Sequence, residues 1–393
     1  MKKVIFSIVI VYLYSFSVYG LSYLGINNLP DSINFYGVRS LGMGCTGIAS
    51  SDDYSAILGN PAALYNVKDI IFGIGGRIMH NSEHIMSFES SAYFDSSFTG
   101  LNVLTAFISG QLFEYLSFGF GMLPIYDLNY KSEHSIPEIS SYSYGTKSIE
   151  SDGSITLYGG AFSINIPDLF SVGFGAGVLS GGKTLVQKIV YDNNTYGVTG
   201  ETSEEYSYSG FKMNMGVYIP FTKQFSIGGR LDLGYDLSEK KDEIENIYSI
   251  PMSIGGGFVY KNFIRYDTQF AFDVIYSKWS KYEVKYGSSA AFVPNGARDT
   301  ISYRMGVEHL VGKSKRNSIP VRIGYYYEPY PLDPAYDISA VTVGLGFPYR
   351  PMMFNISMEY GKRSYRGDNA FFDADKLIDE SLINVEFTID YIF

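Results

Sequence analysis

The stretch Ile383-Asn-Val-Glu-Phe-Thr-Ile-Asp-Tyr-Ile-Phe393 decides the fold. Ile383, Val385, Phe387, Ile389, Tyr391 and Phe393 share one parity, and Asn384, Glu386, Thr388 and Asp390 share the other. Successive side chains of an extended strand point to opposite faces, so this segment has one apolar and one polar face. A soluble sheet shows the same alternation. Here the length, the aromatic terminus and many earlier copies of the pattern make lipid the solvent of the apolar face.

The copies recur along the chain. Phe225, Ile227, Gly229, Leu231, Leu233 and Tyr235 oppose Ser226, Gly228, Arg230, Asp232, Gly234 and Asp236. Tyr266, Thr268, Phe270, Phe272, Val274 and Tyr276 oppose Arg265, Asp267, Gln269, Ala271 and Asp273. Val321, Ile323, Tyr325 and Tyr327 oppose Arg322, Gly324, Tyr326 and Glu328. A soluble sandwich buries the apolar set, whereas a membrane barrel turns it to lipid and the polar set to the lumen. The segments are long enough for a tilted crossing, and tyrosine recurs near their ends, where an aromatic girdle sits. No helical pattern separates them, which excludes a βαβ design. Closure also removes exposed edges.

Composition agrees. The 393 residues include 36 Tyr, 28 Phe and 42 Gly but a single Trp, with 18% charged residues. Mean hydropathy is +0.01, too low for a helical membrane protein. One apolar run, Val4–Gly20 after Lys2 and Lys3, reads as a secretory signal peptide over residues 1–20. An uncleaved membrane anchor is the other reading of that run. The net charge of −10 argues against nucleic acid as a partner. The lone Cys45 excludes an internal disulfide.

Fifteen segments from about residue 70 to residue 393 are strand candidates. Bacterial barrels have an even strand number, with long external loops and short periplasmic turns. Long connections at about 128–152, 181–205, 237–248, 278–299, 329–337 and 362–382 fix the parity, and one of the first three candidates drops out. The weakest is 85–94. The expectation is an all-β, transmembrane antiparallel β-barrel of 14 strands over residues 69–393. Residues 21–68 lack the alternation and are rich in Gly, Ser, Asn and Asp. They read as a hatch plugging the lumen, or else as a periplasmic tail; Leu41, Met43, Ile48, Ile57, Leu58 and Leu64 give them something to bury.

Two segments of this region, 37–49 and 51–64, resemble the start of the FadL/TodX family of outer-membrane transporters for long-chain fatty acids and aromatic hydrocarbons. The matching residues are Arg39, Gly42, Gly44, the acidic pair Asp52-Asp53, and Asn60-Pro61-Ala62. Tyr276-Ser-Lys-Trp-Ser-Lys-Tyr282 looks like a strand end of the same family. The resemblance implies a fourteen-stranded barrel, an N-terminal hatch carrying those residues and a ligand path through the lumen that leaves sideways through the wall. It implies a hydrophobic small-molecule ligand, the outer-membrane bilayer as surroundings, and hatch-gated passive diffusion without a cofactor. PorV-like relatives serve secretion instead, so a barrel with a protein partner is the alternative. The external loops are short for a fatty-acid transporter.

Other motifs carry less. Gly177-Val-Leu-Ser-Gly-Gly-Lys-Thr184 matches the phosphate-loop spacing but lacks the strand-loop-helix setting which that chemistry needs. His80, His84, His134 and His309 form no metal pattern, and no Ser/His/Asp grouping is legible, so no enzyme and no metal site is expected. Lumen-facing charges occur in both signs: Arg230 with Asp232, Arg265 with Asp267, Arg304 with Glu308, and Arg322 with Glu328. They are expected to form an ion-pair network that anchors the hatch and closes the lumen, or simply to line water.

Overall fold

The computed structural model describes residues 37–87, 93–136, 145–192, 197–263, 267–312, 318–332, 334–369 and 372–393. The signal-peptide reading of residues 1–20, the hatch residues 21–36 and Arg265 lie outside them.

Eighteen hydrogen-bonded segments form one sheet. Four crossings are each broken once, so the segments make fourteen crossings. The sheet closes on itself: the first strand, Ile71–Ser87, pairs with the last, Phe372–Ile392, from Ile71↔Ile392 to Ser87↔Lys376. Candidate 85–94 is not a crossing, because the first strand ends at Ser87 and the second, Tyr93–Phe113, starts beyond it.

Burial is inverted relative to a soluble protein. Along Ile319–Glu328, Arg322 is 4% exposed while its neighbour Ile323 is 56% exposed. On the last strand Asn384, Glu386, Thr388 and Asp390 are buried, and Ile389, Tyr391 and Phe393 are exposed. The outward apolar set meets lipid, and the inward polar set meets a filled lumen.

The strands differ in height. Gly145–Ile166 and Phe170–Tyr191 have 22 residues each and pair along their whole length. At about 3.3 Å per residue that is roughly 70 Å, while a tilted crossing takes only about 9–11 residues. Much of what the sequence reads as external loop is therefore strand: 128–152, 181–205, 237–248 and 362–382 are mainly extensions of hairpins. Their apolar parity fades because the outward face there meets water and no longer needs to be apolar. Exposed pairs such as Lys188–Glu201 and Lys240–Glu245 decorate these extensions. On the opposite side Thr268–Ser277, Thr300–Val311, Ile319–Glu328 and Ile338–Tyr349 are only 10 to 12 residues long. There the connections 278–299 and 329–337 are mainly irregular. The phosphate-loop look-alike Gly177–Thr184 lies inside the strand Phe170–Tyr191, with no helix after it.

Candidate functional site

Residues 37–68 fill the lumen at the end of the short turns. Their helices are brief: Val38–Gly42, Ala56–Gly59 and a 3-10 turn Pro61–Asn66. Helices this short do not stand alone in water. The barrel wall holds them instead, through side chains on two opposite sides.

The strands from residue 268 onward grip the hatch with charge. Arg39 donates to both oxygens of Glu308 at 3.1 and 3.0 Å and to the Ser50 carbonyl at 2.7 Å. Asp52, half-exposed, sits 3.1 Å from the same guanidinium. Burial alone would lower the Arg39 pKa, but Asp52, Glu308 and Asp53 outweigh it and hold the group charged. Glu308 also accepts from Arg322 Nε at 2.6 Å and from Gln269. Asp273 Oδ2 accepts the backbone amides of Gly47 and Ile48 at 2.7 and 3.0 Å. Arg304 donates to the Cys45 carbonyl at 3.2 Å, Thr342 Oγ1 accepts the Gly44 amide at 3.0 Å, and Ser357 Oγ donates to the Val38 carbonyl at 2.6 Å. The buried Cys45 thiol is pushed well above its ordinary pKa by desolvation and stays protonated.

Glycines let the two backbones touch. Gly44 has φ +66, and a Cβ there would lie 2.2 Å from the Met305 carbonyl. A Cβ on the wall residue Gly324 would lie 2.0 Å from the Gly44 nitrogen. Gly42 faces Gly344 and Ser357 in the same way.

The second to eighth crossings hold the other side with amides and apolar contact. Asn60 Nδ2 donates to the carbonyls of Ile48 at 2.7 Å and Val217 at 3.0 Å, and its Oδ1 caps the following turn at the Ala62 amide, 3.0 Å away. Pro61 and Ala62 press on the wall glycine Gly173. Asn214 donates to the Ile57 carbonyl at 3.0 Å. Asp53 accepts the Ser55 amide at 3.0 Å and so starts the Ala56–Gly59 turn.

The predicted charges fall into cross-strand or local pairs. Arg230 bonds Asp232 at 2.7 Å. Arg304 pairs with Glu328 and Arg322 with Glu308, exchanging the partners that their order along each strand suggested. Residues four apart on one strand are about 13 Å apart, whereas cross-strand neighbours are about 5 Å apart. Asp267 lies in the turn before Thr268, with its backbone carbonyl accepting from Leu310, and Arg265 lies outside the described residues.

An apolar column runs through this polar interior. Ile57, Leu58, Leu64 and Val67 of the hatch join Leu157, Leu179, Tyr208 and Leu237 in one buried cluster. Tyr235 and Tyr248 pass it on to Ile250, Tyr282, Val284, Trp279 and Leu332 under the external connections. The space left beside Ile57, Leu58, Leu157, Lys212 and Asn214 has room for a water molecule.

Beside the hatch the wall itself is interrupted. The ladder between the second and third crossings runs up to Ala106↔Met122. Beyond it, among the described residues, Leu123 to Asp127 pair with the fourth crossing alone, with a bulge at Pro124/Tyr126. Tyr126, Asp127, Leu128, Asn129 and Tyr130 are all buried in succession, so the third crossing has left the wall and bent into the lumen. Tyr54 of the hatch stacks on Phe107 at this seam, with centroids 3.7 Å apart. The residues that sequence reading passed over, Asn214, Thr342, Arg77 and Asp127, are polar lumen positions like many others. Pro124 was the one legible signal, because proline within a strand marks an edge or a bulge.

No family model matches the chain, and no curated protein matches it in sequence. Solved structures do match in shape. The toluene transporter TodX of P. putida superposes with a TM-score of 0.65 at 16% identity, covering 92% of this chain and 99% of its own. A FadL homologue of Pseudomonas aeruginosa gives 0.63 at 12% identity, over 92% and 99%. The monoaromatic hydrocarbon channel CymD gives 0.60 at 14%, over 91% and 98%. The chain has the fold of the FadL- and TodX-type barrels.

Proposed function

We propose that this protein is an outer-membrane transporter for hydrophobic small molecules, made with a cleaved signal peptide over residues 1–20. The observation that carries the reading is the apolar, tyrosine-bordered column. It starts under the external connections at Trp279 and Tyr282, passes Tyr235 and Leu157, and ends at Ile57 and Leu64 beside the interrupted wall. A plug that only had to close a pore would not need a greasy path leading to a gap in the ladder. An apolar molecule gains from every side chain it displaces water from, and the charged remainder of the lumen repels it back onto the column.

In this reading the ligand moves down the column by side-chain displacement. It meets the hatch at Ile57 and leaves laterally between the second and third crossings, where few backbone hydrogen bonds need breaking. The hatch residues Arg39, Gly42, Gly44, Asp52, Asp53, Asn60, Pro61 and Ala62 hold the plug in register and do not face the ligand. Among the described residues most exposed apolar side chains follow the outward parity of the strands, which gives the reading of a barrel serving a protein partner less support. Mass spectrometry of apolar molecules that stay with the protein through purification tests the reading. Retained lipids or hydrocarbons at near-stoichiometric amounts support it, and a protein that strips clean while folded argues against it.

A further inference from the structure

We propose that the Arg77–Asp127 ion pair is a strap across the seam, and that lateral passage requires Arg77 to exchange Asp127 for Glu386. The proposal rests on the lateral-exit reading above. Both residues would be positioning residues, acting on the third crossing and not on the ligand.

Arg77 stands on the inward face of the first strand, and Asp127 at the inward bend of the third. Their side chains form an ion pair with 7% and 2% side-chain exposure. The pair therefore reaches past the second strand from inside and ties the third crossing to the first strand across the seam. Tyr130 adds a second tie to the first strand, donating to Glu83 at 3.1 Å, and the bend is also tied on its far side. Asp127 Oδ1 accepts the Asn129 amide and side chain at 3.1 and 2.6 Å, Asn129 Oδ1 accepts the Gly153 amide at 2.8 Å, and Ser151 donates to the Leu128 carbonyl at 2.6 Å. With the strap fastened, the bend cannot move away from the first strand to widen the gap.

A buried arginine cannot simply let go, because an unpaired charge in such a place is strongly unfavourable. Glu386 supplies the second seat. It stands directly opposite Arg77 in the ladder of the first and last strands, is itself buried, and shares the lumen face. Directly opposed residues have Cβ atoms about 5 Å apart, within reach of a guanidinium that turns about its own stem. On exchange Arg77 keeps a carboxylate, Asp127 keeps both Asn129 donors, and the bend loses its ion pair to the first strand, keeping only the weaker bond from the neutral Tyr130 to Glu83 of these two ties. Glu359 lies next to Glu386 along the diagonal of the sheet.

The test uses the full-length protein in outer membranes and the apolar dye N-phenyl-1-naphthylamine, which fluoresces once in lipid. In an R77C/D127C variant the two thiols are bridged by a short bifunctional methanethiosulfonate and released with dithiothreitol. Dye entry is expected to fall at least roughly tenfold on bridging and to recover on reduction, while dye retention by the purified protein is unchanged. Equal entry in the bridged and reduced states overturns the strap. Glu386→Gln, a shape-preserving change, is expected to slow entry about tenfold without altering retention or the heat needed to unfold the barrel. Wild-type entry in that variant overturns the exchange, whether or not the double-cysteine variant folds. If cells with the unaltered protein take up dye no faster than cells without it, the transport reading itself fails and the strap proposal falls with it.

Discussion

Arg39 in the hatch and Glu308 on the strand Thr300–Val311 are joined by two hydrogen bonds of 3.1 and 3.0 Å, across 269 residues of sequence. The two-point grip fixes the guanidinium plane as well as its position, which a single bond would not do. Glu308 is held at the same time by Arg322, so one carboxylate locks plug to wall.

Arg39→Ala removes one partner of a buried pair. Such changes typically destabilise by about 3–5 kcal/mol. Because Arg322 still neutralises Glu308, the barrel itself is expected to survive and the loss to fall on the hatch. Limited proteolysis should then cut within residues 37–68, and planar-bilayer recording should show steady conductance where the unaltered protein shows none. A protease-resistant, closed variant would contradict the anchoring role.

Gly44→Ala is expected to do more harm than its size suggests. The residue has a left-handed φ of +66, and the new methyl would meet the Met305 carbonyl at 2.2 Å. Conformational strain alone is of order 1–3 kcal/mol. Gly256, where a Cβ meets nothing within 4 Å, is the matched control. The temperature at which each variant loses its compact form on an unheated gel should drop for Gly44→Ala and stay put for Gly256→Ala.

Asn60→Ala deletes an amide that bonds two carbonyls and one backbone N–H. Buried groups left unpaired each cost about 1–3 kcal/mol. Asn60→Asp keeps the cap on Ala62 but loses both donors, so it should recover little of the stability lost. Hydrogen exchange read at the Ala62 amide separates the two: it speeds up in Asn60→Ala and stays slow in Asn60→Asp.

The lipid-crossing part of the fold was legible because one solvent differs on each side of every strand. Ile383 to Phe393 show this at full contrast, and so does Val321 to Glu328. The strand extensions outside the bilayer were not legible, since Lys188, Glu201 and their neighbours meet water on the outward face and lose the parity signal. Residues 37–64 stood out in the sequence by their composition and by the resemblance of Asn60-Pro61-Ala62 to the start of the FadL/TodX family. The anchors of the hatch were hidden for a different reason. Which inward carboxylate meets Arg39 depends on the register of strands hundreds of residues away, so Glu308 and Asp273 look alike until the barrel is closed. The inward bend at Asp127 was hidden too, apart from the out-of-place Pro124.

The central claim is that apolar molecules cross this barrel and leave through the seam at Leu123–Asp127. Ile125 is the extra residue of the bulge there, lying between the pairs Pro124↔Thr156 and Tyr126↔Ile155. Deleting it removes the two-against-one mismatch and lets the third crossing run straight beside the second. The decisive measurement is the initial rate of radiolabelled toluene and oleate uptake by cells making the unaltered protein, the Ile125 deletion, or neither. The account predicts faster uptake of at least one compound with the unaltered protein, and background uptake with a deletion variant that is folded and in the membrane. Uptake by the straightened barrel equal to that of the unaltered protein would contradict it.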